Sequence, residues 1–162
     1  LAPWADIFYA CDSEWWEKHH ADVNCYPALK IAIQEDGRKL KWPDVKPISV
    51  VRNDDSLRFE RFGEVGWGGN SGFHAINLAV QFGAKRIVLV GYDMRLDGGI
   101  HWHGRHGNGL HNPSNSNVAR WRRVIDEAAP LLTRLGVEVV NTSPVSALTA
   151  YPKMTLEAAL AA

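Results

Sequence analysis

The segment from Gly68 to Asp93 constrains the fold of this chain more than any other. A glycine-rich turn, an apolar helical stretch and a β-branched run follow one another without interruption. Gly68-Gly69-Asn70-Ser71-Gly72 leaves backbone N–H groups free to point into a site, and an anion placed there meets the positive end of the helix that follows. That helix is expected from Ser71 to Phe82. His74, Asn77 and Gln81 fall at i, i+3 and i+7 as a narrow polar stripe, and Phe73, Ile76, Leu78, Ala79, Val80 and Phe82 fill the rest. Gly83-Ala84 ends the helix, and Arg86 to Asp93 reads as a fully buried parallel strand. Asp93 then stands at the carboxyl end of that strand, where open α/β sheets bind ligands.

The flanking sequence repeats the alternation. Ile7 to Cys11 reads as a strand, with Asp12-Ser13 starting a helix that runs to about His20, so Asp12 occupies the same strand-end position as Asp93. Ala28 to Ile33 and Ile48 to Val51 read as further strands, Glu35 to Arg38 as a turn, and Arg52 to Val65 mostly as loop. Val118, Trp121, Ile125, Ala128, Leu132 and Leu135 mark a long amphipathic helix containing Pro130. Gly136 stops it, Val137 to Val140 forms the next strand, and a short helix lies around Thr155 to Leu160. The expected fold is a three-layer, Rossmann-like α/β domain with a mainly parallel sheet.

Size and charge agree with that class. A chain of 162 residues, 46% apolar and 22% charged, suits one globular domain. Eighteen basic residues balance eighteen acidic ones, which argues against general nucleic-acid binding and points to a small-molecule substrate. No run is apolar enough to span a bilayer, and the two cysteines, Cys11 and Cys25, fit a reduced, cytoplasmic protein. The chain begins at Leu1 and enters a core strand within a few residues, so the expectation is one domain over residues 1–162 that lacks an N-terminal βα unit.

The chemistry-bearing residues have competing readings. Asp93 binds Mg2+ or a sugar or substrate hydroxyl, or else caps a turn; Asp12 has the same choice against a plain helix start. Ser71 donates to a phosphate or caps the helix. Ser143, within Asn141 to Ser146, offers a hydroxyl to the same rim or serves the turn alone. His74 reads as a stripe residue and not a catalyst. Between Met94 and Asn117 lies a glycine-rich loop with His101, His103, His106 and His111, long enough to suggest function. One of these histidines acts as a general base or phosphate partner, or several bind a transition metal, or all are surface residues. Trp102 and Arg105 can stack on a base and clamp a phosphate.

Gly69 to Gly72, Gly83 through Asp93, His101-Trp102-His103-Gly104 and Asn141 to Leu148 together resemble the MptE-like family, phage-encoded members most closely. That family includes archaeal hydroxymethyl-dihydropterin diphosphokinases and is related in fold to bacterial sialyltransferases that use a CMP-sugar. The resemblance implies nucleotide-dependent glycosyl or diphosphoryl transfer, with a nucleotide or nucleotide-sugar held at Gly69, Asn70, Ser71, Gly72, Asp12 and Ser143. It implies His111, then His103, as the base, while Asp93 orients the sugar or a metal-bound phosphate. Diphosphoryl transfer calls for Mg2+ on Asp12 or Asp93, whereas sugar transfer from a CMP donor runs without metal. The Gly-x-Gly-Pro-Ser loop of relatives has no counterpart here. Two other readings stay open: a non-catalytic nucleotide-binding phage accessory protein, and a metal-dependent hydrolase using the histidine loop.

Overall fold

The computed structural model describes residues 3–35, 39–97 and 112–161. A four-stranded, all-parallel sheet carries β1 (Ile7–Ala10), β2 (Leu29–Ile33), β3 (Val45–Val51) and β4 (Glu64–Gly66) in that order. Register runs from Ile7 opposite Leu29, through Lys30 opposite Val45, to Ser49 opposite Glu64. Adjacent residues of a strand point to opposite faces, so each face acquires its own layer. On one side α1 (Ser13–Val23) packs Trp16 and Val23 against Ala10, Ala32 and Val45. On the other, α2 (Ser71–Gln81) sets Leu78 against Ile31, Ile48 and Val65. The architecture is Rossmann-like, as the alternating pattern predicts.

The second half forms the β-α-β crossover expected from sequence: β5 (Arg86–Leu89), α3 (Asn115–Arg134) and β6 (Glu138–Asn141), with β5 and β6 parallel and Leu89 opposite Asn141. A short α4 (Leu156–Ala161) follows. Phe73 and Ile76 of α2 pack with Val124, Ile125, Ala128 and Leu132 of α3 and with Leu89 and Val139 beneath them. Thus α2 takes part in both apolar clusters and joins the crossover unit to the four-stranded sheet.

Arg52 to Val65 is mostly loop, as expected, and ends in the short strand Glu64–Gly66 that pairs with β3. Two expectations are corrected. The β5 strand is not fully buried: its ladder runs only to β6, and Val90 just beyond it is 61% exposed. Leu135 lies past the last turn of α3 as its C-cap and is exposed, so the buried stripe of α3 runs through Val124 instead.

Ser114 begins α3 with reciprocal bonds: Asn117 N–H donates to Ser114 Oγ at 3.2 Å, and Ser114 N–H donates to Asn117 Oδ1 at 3.0 Å. Ser114→Ala is expected to cost about 1 kcal/mol, seen in thermal unfolding as a Tm lower by roughly 3 °C. Among the described residues no helix is long and apolar enough to cross a membrane, and Cys11 and Cys25 are both free thiols.

Candidate functional site

Asn70, not Ser71, is the N-cap of α2. Its extended backbone turns the chain into the helix, its Oδ1 accepts from Phe73 N–H at 2.8 Å and its Nδ2 donates to Gly68 O at 3.2 Å. Ser71 and Gly72, the first two helical residues, keep backbone N–H groups with no partner among the described residues, and these form the positive end of the helix. The turn before them requires glycine. Gly68 has φ +48°, and a Cβ there would lie 2.2 Å from the Phe73 ring; Gly69 has φ +76° and sits close to Trp121 Nε1 and Arg120 Nη1.

Two strand ends meet this helix start. Cys11, after β1, donates its N–H to Ser71 Oγ at 3.4 Å, and that hydroxyl lies 3.0 Å from Cys11 Sγ. Tyr92, after β5, donates its hydroxyl to Gly72 O at 3.0 Å. Asp12 and Asp93 each follow one of these contact residues in the chain. Both are exposed. Asp12 holds the N-cap position of α1 without a side-chain capping bond. Asp93 is fixed through its carbonyl, which accepts from Ala147 N–H at 2.8 Å. Exposed carboxylate oxygens of this kind suit Mg2+ as ligands. Among the described residues no three His, Cys, Asp or Glu side chains cluster as a metal site.

Electrostatics separate the candidate groups. Burial pushes the Cys11 thiol up to about 11, so it stays protonated at neutral pH and is no nucleophile. Burial raises the Tyr92 phenol to about 12. His74, buried, uses both ring nitrogens, bonding Tyr9 Oη at 2.7 Å and Trp67 O at 2.6 Å, and cannot reach a substrate. Near the turn, the Arg52 guanidinium lies 4.9 Å from the centre of the Trp67 ring, and that of Arg120 lies 6.0 Å away. Arg120 is also tied to Asp55 at 2.6 Å.

Ser143 sits in the polar turn after β6. It is buried, its N–H donates to Asn141 Oδ1 at 3.0 Å, and its Oγ finds no hydrogen-bond partner among the described residues; neither does the buried Asn141 Nδ2. Ser146 connects this turn to the β5 end by donating to Tyr92 O at 2.5 Å. Of the residues singled out from sequence, Gly69, Asn70, Ser71 and Gly72 form the turn and helix start, Asp12 and Asp93 each follow a residue bonded to it, and Ser143 lies in the turn that bonds Tyr92 and Asp93 through Ser146 and Ala147. His111 and His103 lie outside the described residues, as do His101, Trp102, Arg105 and His106.

Sequence reading missed Tyr9, Trp67 and Arg120. The interrupted polar stripe of α2 was the one available signal, since a buried polar residue demands partners. Compared with known proteins, the chain matches no family model, no curated protein and no solved structure.

Proposed function

We propose that this protein is a nucleotide-dependent transferase that binds the phosphate of a nucleotide or nucleotide-sugar at the start of α2. The observation that carries the reading is the pair of amides at Ser71 and Gly72, without a partner among the described residues, at a helix start bonded to Cys11 after β1 and Tyr92 after β5, each followed by an exposed aspartate. Anions are stabilised at such helix starts, and parallel α/β sheets bind ligands at this edge. The resemblance to the MptE-like family supports the same assignment. In this reading Asp93 orients the sugar or a Mg2+-bound phosphate. The resemblance makes a residue of the histidine loop, His111 first and His103 second, the base that takes the acceptor's proton. The acceptor is a small molecule bearing a hydroxyl.

Calorimetry with CMP, GTP and ATP, with and without Mg2+, tests binding. Asp93→Asn is expected to weaken nucleotide or Mg2+ affinity more than Asp12→Asn does, with little change in Tm, because neither carboxylate caps its own turn. Absence of binding by the unaltered chain at millimolar nucleotide would sink the proposal. Where turnover is found, His111→Ala should lower it about a hundredfold at nearly unchanged nucleotide affinity. Binding that survives with no turnover under any donor and acceptor pair would favour a non-catalytic nucleotide-binding protein.

A further inference from the structure

One buried side chain joins β1 to the glycine turn. His74 accepts from the Tyr9 hydroxyl at Nδ1, 2.7 Å away, and donates from Nε2 to the Trp67 carbonyl at 2.6 Å. A carbonyl can only accept, so Nε2 carries the proton and Nδ1 presents a lone pair to Tyr9. The imidazole is 1% exposed and lies among the rings of Tyr9, Trp67 and Phe73. The titratable groups near it from β1 and the turn after it are Tyr9, Cys11 and Asp12. Beyond Trp67 lie Arg52 and Arg120, both stacked on that ring's surroundings. From α2 itself the polar neighbours are Ser71 and Asn77, both uncharged. Among the described residues, exposed Asp12 is the acidic group that acts on the ring.

We propose that His74 is a proton-sensitive tie: uncharged, it holds the glycine turn against β1, and on taking up a proton it releases the turn while the parallel sheet stays folded. Protonation places a second N–H against the Tyr9 hydroxyl, which must then rotate and surrender its own hydrogen-bond acceptor. The ring would also carry a buried charge with no carboxylate bonded to it, a costly state. Opening the turn lets water reach the ring, whereas the apolar clusters under β2 and β3 need not part, so local opening costs less than unfolding. Burial pushes the His74 imidazole down from its ordinary 6.5 to about 4. The closed turn therefore binds fewer protons than the open one. It is fully favoured above pH about 6.5 and loses its advantage as the pH falls toward 4. The tie is a property of the fold and does not depend on the nucleotide reading.

The test is an NMR titration of the full chain from pH 7.5 to 3.5, following the histidine rings and the backbone amides together. His74 should titrate near pH 4, apart from the other six of the seven histidines. The amides of Gly68 and Gly69 should shift with that same midpoint, while those of Ile31 and Val50 hold their positions. His74→Gln supplies an N–H to Trp67 and an acceptor to Tyr9 without a titrating group, so the step at Gly68 and Gly69 should vanish. The proposal is overturned if His74 titrates together with the other histidines or if the turn amides ignore its midpoint. It is equally overturned if the strand amides are lost at that midpoint, which would mean global unfolding. Should the glutamine variant not fold, the titration of the unaltered chain decides alone.

Discussion

Gly66→Ala is expected to destabilise the protein by about 3 kcal/mol, the upper end for forcing atoms into a filled interior. A Cβ at this position would stand 1.9 Å from Ser56 O and 3.0 Å from Asp54 O. Neither carbonyl is free to withdraw. Asp54 O accepts from Trp67 N–H at 2.6 Å, Asp54 N–H donates to Val51 O at 3.2 Å, and Ser56 N–H donates to Asp54 Oδ1 at 2.8 Å. The glycine also ends β4 opposite Val51, so the strand cannot shift without losing its ladder. Urea unfolding should show the loss as a lower midpoint at unchanged slope. Gly63→Ala is the matched control: its Cβ would meet only Ile48 Cγ2, 3.8 Å away, leaving the backbone strain of φ +79° as its cost. A Gly66→Ala protein as stable as the unaltered chain would mean that the 54–56 turn does not cover β4.

Asn77→Leu should cost a similar amount, about 3 kcal/mol, although leucine suits an apolar helix better than asparagine does. Asn77 is wholly buried. Its Oδ1 accepts from Arg58 N–H at 2.9 Å and from Gly66 N–H at 3.4 Å, and its Nδ2 donates to Arg58 O at 2.7 Å. Leucine would strand the two amides without a partner, each costing roughly 1–3 kcal/mol, while Arg58 O keeps its bond from Gln81 Nε2 at 2.8 Å. Hydrogen exchange provides the specific readout: the Arg58 and Gly66 amides should lose protection more than those of β2. Gln81→Ala, at the edge of the same network, should cost about 1 kcal/mol. Equal stability of Asn77→Leu and the unaltered chain would show that the loop finds these bonds elsewhere.

Both predictions concern a stretch that sequence patterns describe poorly. Arg52 to Gly63 is polar, without periodicity, and its order comes from distant partners: Asn77 and Gln81 hold the Arg58 backbone, while the Arg58 guanidinium bonds Asp54 at 2.6 Å and Glu64 at 2.9 Å. Such a segment has no local signature, because its hydrogen bonds are made to a helix about twenty residues onward. The three-residue β4 is illegible for the same reason: its existence depends on lying beside β3.

The sequence by itself determined what local chemistry enforces. Positive-φ glycines mark the turn before α2 and the ends of α2 and α3; 3.6-residue spacing marks α3; and the β-branched run marks β5, so the order of elements and the parallel class were readable. The placement of Asn70 through Gly72 at a helix start and of Asp12 just past β1 was readable too, since a strand followed by a helix fixes where its carboxyl end lies, whereas Asp93 lies beyond β5, which ends at Leu89. Tertiary structure alone decided that the polar stripe of α2 faces inward, because a buried stripe and a solvated one have the same period and differ only in what lies opposite. It also decided that Asn70 rather than Ser71 caps the helix, leaving the Ser71 hydroxyl to Cys11, and that His74 is spent between Tyr9 and Trp67. Tyr9 and His74 are 65 positions apart. No local propensity encodes such a pair; the packing of α2 across β1 creates it.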